Sequence, residues 1–460
     1  MLLVSPQVTL AAEAKDLSAG LLQFARNAKF DHVIDYGPYN EACPGADFCP
    51  VPAPRVAHMP NVDIAVIQLD EDGQAEEAAN VLFSRDYPNG IQVPIDRNFN
   101  ARSVRWRKWD IERWDGGTFS DKNGQQLTIK GWKNNPPFTP ADDIVPGSGS
   151  ARFQFMAPYP ASLFKILVAY RIMRLVDAGK LTLNQTFTYT DPIEETTQTL
   201  TIGKWLDPMI AYSDNTAARA MLKLLHERHQ VKAMNAEFRN LGLATLQING
   251  TDPKTGTNWQ PGYIHMTALD TARLLWLIDG AKKNAVLWHR PDGRAVTPAE
   301  LSDRSRTFLK RLLANQGYNE ALSTSNFCGA PQTRPGIPAP VPDRWVNSTD
   351  GTVTVDGIAY GRDVRPCNAI ASVLFAHKTG LTFNYGSDAG IVQSISGKVN
   401  RHYVIAFIAN LGYRYADPIF ASRTDQFPCF DAIGGICYSQ RIPALGKKVD
   451  SGLKQSSKDE

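Results

Sequence analysis

The segment PYPASLFKILVAY places one charged residue, Lys165, in a run that is otherwise almost entirely apolar. Hydrophobic residues occur on nearly every side of a helix drawn through residues 161–170, which is typical of a buried helix. A buried ammonium group is costly unless it has hydrogen-bonding partners or loses its proton. Ser162 lies three residues earlier on the same helix face, so we expect the two side chains to touch.

Ser162 and Lys165 together could form a nucleophile and its base. A serine hydroxyl reacts well only when a neighbouring base removes its proton, and a lysine whose pKa is lowered can be that base. Because Pro160 precedes the pair, Ser162 is expected near a helix start, where free backbone N–H groups could form half of an oxyanion hole. The same spacing recurs in the polar tail at Ser451 and Lys454. The bare pattern is therefore also compatible with a helix-start serine and a lysine that reaches solvent.

Two further motifs strengthen the chemical interpretation. S-D-N occurs at residues 213–215, between two helical segments, where it could also be a helix cap. K-T-G occurs at residues 378–380 on an expected strand, and again at 254–256 in a turn-rich loop. In the order S-x-x-K, S-D-N and K-T-G, these motifs resemble the signature of the penicillin-recognising serine hydrolases, the serine β-lactamases and penicillin-binding proteins. The stretch YSDNTAARAML resembles class A β-lactamases in particular, and the resemblance covers about residues 62–295 and 366–412.

This resemblance implies four catalytic residues. Ser162 would attack a carbonyl to give an acyl-enzyme, and Lys165 would accept the proton of the serine. Ser213 would pass a proton to the leaving nitrogen, which must be protonated before it departs. Lys378 would add positive charge that lowers the pKa of Lys165 and attracts the carboxylate of the substrate.

The same resemblance implies the substrate-binding residues. Asn215 would bind the side-chain amide of the substrate and hold the catalytic lysine, while Thr379 would bind the substrate carboxylate. Gly380 would let the strand approach the substrate closely. The backbone N–H of Leu381 would complete the oxyanion hole with that of Ser162. We interpret His377 and Asp214 as structural residues, the first on the opposite strand face and the second as a brace of its turn.

One departure from the class A pattern concerns release of the acyl group. The stretch LQINGTDPKTGTNWQPGYIHMTALD lacks the Glu-x-x-x-Asn element whose glutamate activates the hydrolytic water in class A enzymes. Asp252 is a possible replacement base, and the alternative is a turn-forming aspartate before Pro253. Without such a base, deacylation would be slow or would use Lys165 and Ser213.

Three functions follow as hypotheses. The first is class A β-lactamase-like hydrolysis of a β-lactam amide, and the second is a D,D-peptidase acting on cell-wall peptides. The third is a non-catalytic, peptide-binding relative that uses an aromatic surface in the region 101–139, although these aromatic residues could equally build a small core. The tryptophans concerned are Trp106, Trp109, Trp114 and Trp132.

The expected fold class is α+β, of the β-lactamase/transpeptidase-like kind. Strand patterns near both chain ends, at 62–84 and 366–460, predict one antiparallel sheet flanked by helices, with an inserted all-helical half at 151–295. Residues 1–61 form an N-terminal extension, and the polar tail from residue 446 is expected to fray. The Pro/Gly-rich stretches 85–150 and 296–365 are read as irregular insertions.

Composition narrows the partners and the compartment. The 460 residues carry a net charge of only +3, without a long basic run or a membrane-spanning apolar run, so neither nucleic acid nor a membrane is implied. The sequence predicts no cofactor and no metal site, because no CxxC pair or zinc-spaced histidine cluster occurs. Disulfides would make the protein periplasmic or secreted, and reduced thiols would make it cytosolic. The six cysteines pair by neighbourhood as Cys43 with Cys49, Cys328 with Cys367, and Cys429 with Cys437.

Overall fold

A six-stranded antiparallel sheet forms the centre of the protein. The computed structural model describes residues 16–35, 55–115, 118–120, 126–128, 137–147, 149–282, 284–331, 333–395, 401–420 and 438–456. The helices in these ranges are α1 (Leu17–Ala28), α2 (Ile111–Asp115), α3 (Lys165–Asp177), α4 (Ile202–Ala211), α5 (Asn215–Glu227), α6 (Gln230–Leu241), α7 (Ala268–Asp279), α8 (Asp303–Ala314), α9 (Arg365–Ile370) and α10 (Arg441–Ser456).

The strands are mostly short. They are β1 (Ile34–Asp35), β2 (Val62–Leu69), β3 (Ala75–Phe83), β4 (Ile91–Gln92), β5 (Val104–Arg107), β6 (Thr118–Ser120), β7 (Gln126–Thr128), β8 (Phe153–Met156), β9 (Thr186–Thr190), β10 (Thr197–Thr201), β11 (Gln247–Ile248), β12 (Ile264–His265), β13 (Trp288–His289), β14 (Ala295–Val296), β15 (Val353–Val355), β16 (Ile358–Tyr360), β17 (Val373–Leu381), β18 (Gly386–Ser394), β19 (His402–Ala409) and β20 (Tyr415–Ala416).

Both ends of the chain contribute to the central sheet, as the sequence predicts. Its order is β17-β18-β19-β2-β3-β4, and β2 pairs with β19 so that Val62 lies opposite Ala409. Alternate residues of β2 enter two different cores: Ala65 and Ile67 belong to one, and Ile64 to the other. The sheet therefore lies between two helical layers, which explains why β2 is apolar on both faces. The α+β expectation is confirmed.

The two layers differ in size. On one face lies the larger core, to which α3 to α8 contribute, and on the other face α1 and α10 pack together over the sheet. None of the helices within the described ranges is both long and apolar enough to cross a membrane.

The half between residues 151 and 295 was expected to be all-helical, but it also contains strands. It contains the hairpin of β9 and β10, whose threonine-rich strands pair through hydroxyl contacts of 2.8 Å between Thr188 and Thr199 and 2.9 Å between Thr190 and Thr197. Threonine is β-branched and favours strands, so the hairpin follows from a local preference that the helical patterns around it concealed.

The polar tail is also different from the expectation of a frayed end. Residues 441–456 form α10, whose apolar residues Ile442, Leu445 and Val449 recur at helical spacing and are buried. Asp450 pairs there with the buried Arg401, a contact that the local sequence does not reveal. The second S-x-x-K pattern, at 451–454, therefore lies on this helix in the layer behind the sheet.

The tryptophans of the first insertion are core residues where the structure describes them. Trp106 is 5% exposed, Trp109 is 4% exposed and Trp114 is 2% exposed, while Trp132 lies outside the described residues. The alternative of a small aromatic core is thus favoured over an exposed aromatic surface.

The second insertion contains the one predicted disulfide that falls within the described ranges. Cys328 and Cys367 are bonded, which confirms that pairing, whereas Cys43, Cys49, Cys429 and Cys437 lie outside the described residues. The hairpin of β15 and β16 packs inside the loop that this disulfide closes.

Glu320 makes the stability of this region depend on pH. Its carboxylate is buried and accepts hydrogen bonds of 3.1 Å from the hydroxyls of Tyr360 and Tyr413, and burial raises its pKa to about 7. A carboxyl with a raised pKa binds its proton more tightly in the folded protein, so stability falls as pH rises from about 4.5 through 7. Glu320→Gln should remove on the order of 3 kcal/mol of this decline in the free energy of unfolding.

Denaturant titrations of both proteins at several pH values measure that difference. Glutamine can still accept from one tyrosine and donate to the other, so the variant should be folded at both ends of the range. Parallel curves for the two proteins would contradict the assignment.

Candidate active site

Ser162 lies in a tight turn rather than in the helix that follows it. Residues Ala161–Phe164 form a single 3₁₀ turn, here called the nucleophile turn, which continues directly into α3 at Lys165. Ala161 has a φ of 47°, a left-handed conformation that costs a non-glycine residue about 1–2 kcal/mol. Such strain is maintained only where the surrounding structure fixes the backbone, and it is common at functional sites.

Lys165 is completely buried and has three hydrogen-bonding contacts. Its Nζ donates to the backbone carbonyl of Ser213 and, at 2.8 Å, to Oδ1 of Asn215, and it lies 3.1 Å from Oγ of Ser213. The expected contact with Ser162 is not among these hydrogen bonds of Lys165. Burial lowers the pKa of Lys165 well below its ordinary value, and the positive charge of Lys378 lowers it further.

Ser213 is presented by the junction of α4 and α5. It has a φ of 66°, which turns the chain sharply between the two helices. Asp214 then caps α5, because its Oδ1 accepts a hydrogen bond of 2.5 Å from the backbone N–H of Ala217. Asp214 is therefore a brace, as the sequence interpretation has it, and the bend directs Ser213 and Asn215 towards the same lysine.

Lys378 also contacts the hydroxyl of Ser213. It is buried on β17, and its Nζ donates at 2.9 Å to Oγ of Ser213 and at 2.6 Å to the backbone carbonyl of Thr379. Burial lowers the pKa of Lys378 to about 7, against the opposing effect of the negative charge of Asp388. Two lysine amines thus share one serine hydroxyl, and all three sequence motifs meet at that point.

Gly380 brings the K-T-G strand against the nucleophile turn. A Cβ at this position would lie 2.4 Å from the carbonyl oxygen of Pro160 and 2.7 Å from the backbone nitrogen of Leu163. Ser387, opposite Gly380 on β18, donates its hydroxyl to the same Pro160 carbonyl at 2.6 Å. The sequence interpretation assigned this glycine to substrate approach, and the structure supplies a further reason, which is the approach of the turn itself.

The position of β17 at the sheet edge bears on the expected oxyanion hole. Only one side of an edge strand is paired, so alternate backbone N–H groups point away from the sheet. Leu381 ends this strand next to Gly380, beside the nucleophile turn. That the backbone N–H groups of Ser162 and Leu381 together form the oxyanion hole stays a prediction.

Asp252 and His377, both discussed in the sequence analysis, form hydrogen bonds with groups other than the motif side chains. The carboxylate of Asp252 accepts hydrogen bonds of 2.7 Å from the N–H of Lys254 and 2.9 Å from that of Thr255, and these bonds lower its pKa. Such contacts are typical of a turn-forming aspartate, so they favour that alternative over a catalytic base. His377 lies within 2.8 Å of Oδ1 of Asp388 and 3.1 Å of Oδ1 of Asn319 behind the strand, in agreement with a structural role.

Sequence reasoning missed two residues that lie near Lys165, Trp259 and Arg219. Trp259 lies beside Lys165, with 5.7 Å between the lysine Nζ and the centre of the indole ring. Arg219, paired with Asp191 at 2.6 Å, adds positive charge on the same side. No local pattern marks Trp259, since only the folded loop brings it to the lysine, whereas Arg219 lies one helical turn after Asn215 on α5. Within the described ranges, no cluster of three or more His, Cys, Asp or Glu side chains is placed to hold a metal ion.

The geometry defines a serine and lysine site between a sheet edge and a helical half. A model of the β-lactamase enzyme family matches residues 157–412, which is more than half of the chain. This chain therefore belongs to the β-lactamase enzyme family, within the superfamily of serine β-lactamases and penicillin-binding proteins. No match was found among curated proteins.

Solved structures of the same superfamily resemble the chain at low identity. A point mutant of PBP-A, solved as an acyl-enzyme complex with penicillin G, is 18% identical over 67% of this chain and 88% of its own, with a TM-score of 0.39. A β-lactamase from Chitinophaga pinensis is 17% identical over 74% of this chain and 96% of its own, with a TM-score of 0.38.

The packing at Gly380 yields a test of how the site is built. Gly380→Ala should lower the free energy of unfolding by about 2 kcal/mol, because the added methyl group meets backbone atoms that cannot move aside independently. Gly361→Ala is a matched control, since no atom lies within 4 Å of a Cβ there, and it should change stability by less than about 0.5 kcal/mol. Equal effects in chemical denaturation would show that β17 does not press on the nucleophile turn.

Proposed function

We propose that this chain is a serine hydrolase of the class A β-lactamase type, which opens the amide of a β-lactam through an acyl-enzyme on Ser162. The observation that carries the proposal is the meeting of Lys165 and Lys378 at the hydroxyl of Ser213, directly beside the nucleophile turn. Burial and mutual repulsion favour loss of a proton from Lys165, which is what a base for Ser162 requires.

The contacts of Lys165 fit a neutral amine. A neutral amine has two N–H groups and one lone pair, and the backbone carbonyl of Ser213 and the side chain of Asn215 can accept the two N–H groups. The lone pair can then accept the hydroxyl proton of Ser213, whose Oγ lies 3.1 Å away. In this form Lys165 can receive a proton from Ser162 or exchange one with Ser213.

The acylation step follows from these positions. The Oγ of Ser162 loses its proton to Lys165 and bonds to the carbonyl carbon of the β-lactam, while the carbonyl oxygen becomes an oxyanion near the N–H groups of Ser162 and Leu381. When the carbon–nitrogen bond breaks, Ser213 supplies a proton to the nitrogen and regains one from Lys165. Lys378 and Thr379 bind the substrate carboxylate.

The D,D-peptidase hypothesis is the second candidate, and the contacts of Asp252 favour it. Deacylation needs a base that takes a proton from water as the water oxygen attacks the ester carbon and the bond to Ser162 breaks. Asp252 is the only carboxylate between residues 245 and 269, and its side chain accepts hydrogen bonds from backbone N–H groups of its own turn. A peptidase that transfers or slowly hydrolyses its acyl group does not need that carboxylate. The third hypothesis, a non-catalytic binding relative, loses its exposed aromatic surface where Trp106, Trp109 and Trp114 are buried.

A location outside the cytoplasm is part of the proposal. The disulfide between Cys328 and Cys367 supports it, because such bonds persist mainly in oxidising compartments. A β-lactam or a cell-wall peptide is the proposed small-molecule partner.

Ser162→Ala provides the direct test of the acyl-enzyme. Incubation with penicillin G should add the mass of the antibiotic to the wild-type protein, and the variant should gain none, because it lacks the attacking oxygen. Intact-protein mass spectrometry over minutes to hours measures the adduct. Ser451→Ala, at the second S-x-x-K pattern, is the matched control and should acylate normally. An adduct in Ser162→Ala would refute the proposal.

The lowered pKa of Lys378 predicts the pH dependence of carboxylate recognition. Lys378 is a cation below about pH 7 and loses its charge as the pH rises through that value, so it attracts anions only on the acid side. The rate constant for acylation by penicillin G, divided by that for its methyl ester, should fall about tenfold as the pH rises from roughly 6 to 8. Stopped-flow measurement of both reactions provides the ratio, and a constant ratio would exclude Lys378 as the carboxylate-binding group.

A further inference from the structure

Trp259 covers the Lys165 amine from the side of the 249–263 loop. Its ring packs edge-on against Phe164 of the nucleophile turn, with 5.2 Å between the ring centres, and the Nζ of Lys165 lies 5.7 Å from the indole centre. The tryptophan is half-buried and packs against the larger core. One side chain therefore contacts both the turn that carries Ser162 and the lysine that is its proposed base.

The loop fixes the orientation of this indole. The N–H of Trp259 donates at 2.7 Å to the carbonyl of Gly256, and the hydroxyl of Tyr189 donates at 2.7 Å to the carbonyl of Thr255. Gly256 itself lies against α5, where a Cβ would be 2.1 Å from the carbonyl oxygen of Arg219. The ring cannot swing away from the lysine without breaking its hydrogen bond to Gly256, and the other two contacts hold Gly256 and Thr255 in place.

The distance indicates which effect of the ring dominates. Attraction between a cation and an aromatic face extends to about 6 Å from the ring centre, so at 5.7 Å the indole lies near the limit of that range and favours a charged lysine only weakly. Removal of water from a buried amine acts in the opposite direction and is larger, since full burial can shift an amine by several pKa units. Burial is the leading cause of the lowered pKa of Lys165.

Asp252 stabilises the turn that precedes Trp259 and so helps to hold the indole in place. Asp252 accepts hydrogen bonds from the N–H groups of Lys254 and Thr255, and its backbone carbonyl accepts one of 2.8 Å from the N–H of Gly256. The second K-T-G sequence, at 254–256, thus forms the turn whose last carbonyl holds the indole.

We propose that Trp259 is a positioning residue that keeps water away from the Lys165 side of the reacting centre. A dry amine remains a neutral base for the formation of the acyl-enzyme, and the ester on Ser162 is then shielded from a water molecule that Lys165 could activate. The inference rests on the proposed acyl-enzyme. Its consequence is that the ester on Ser162 is hydrolysed more slowly than it would be if the space beside Lys165 were open to water.

Three variants separate water exclusion from general damage to the loop. Trp259→Ala opens the space beside Lys165, and Trp259→Phe keeps an aromatic ring there. Tyr263→Ala removes an aromatic residue from the same loop, where Tyr263 is 49% exposed and packs on Gly250 rather than on the lysine. Each full-length protein is acylated with penicillin G and freed of excess antibiotic, and the loss of the adduct is followed by intact mass.

The expected result is that Trp259→Ala shortens the lifetime of the acyl-enzyme about tenfold or more, whereas Trp259→Phe and Tyr263→Ala leave it within about twofold. Equal lifetimes in Trp259→Ala and wild type would overturn the inference while leaving the acyl-enzyme intact. A shortened lifetime in Tyr263→Ala as well would also overturn it, because loop loosening would then explain the effect.

A second readout does not depend on the antibiotic. Titration of Lys165 by NMR in protein with labelled lysine should show that Lys165 gains its proton at higher pH in Trp259→Ala than in Trp259→Phe, since water then reaches the amine. Lys165→Arg identifies the resonance. Unchanged titration would refute the role of Trp259. If wild type shows neither an adduct nor hydrolysis of penicillin G, that would instead refute the proposed function.

Discussion

Two buried lysine amines that share the hydroxyl of Ser213 are the constraint on which the site depends. Two ammonium groups in a dry environment repel each other and lack hydration, so the arrangement is tolerable only if one proton is lost and the remaining N–H groups have acceptors. Lys165 has those acceptors in Ser213 and Asn215, and Lys378 has the carbonyl of Thr379. The reactivity proposed for Ser162 therefore depends on how three separate elements are held together.

The packing around Gly380 keeps those elements at fixed distances. The strand approaches the nucleophile turn closely enough to exclude a single methyl group, and Ser387 ties the turn to the next strand. Behind the strand, His377 and Asp388 link β17 to Asn319 of the second insertion. The insertion is thus joined to the strand that carries Lys378, on the face away from the nucleophile.

Sequence patterns identified the central residues but not their surroundings. Ser162, Lys165, Ser213 and Lys378 were predictable because each belongs to a short motif with a chemical rationale, and the sheet was predictable from alternating apolar strands. Trp259 was not, since its relation to Lys165 depends on the course of a loop almost a hundred residues away. Asp450 in α10 is a similar case, because its buried partner Arg401 is distant in the chain and the helix looks too polar to pack.

The pairing of β2 with β19 also determines the order in which the protein can be completed. Val62 and Ala409 are neighbours in the sheet, so an emerging chain carries the β2 and β3 hairpin with an open edge until β19 has been made. Contacts so distant in sequence close slowly, because a long loop must first be ordered. Within the sheet, the strand that carries Lys378 pairs with β18, and β18 in turn pairs with β19. A chain in which the strand with Lys378 has not yet docked therefore lacks the second amine at the Ser213 hydroxyl.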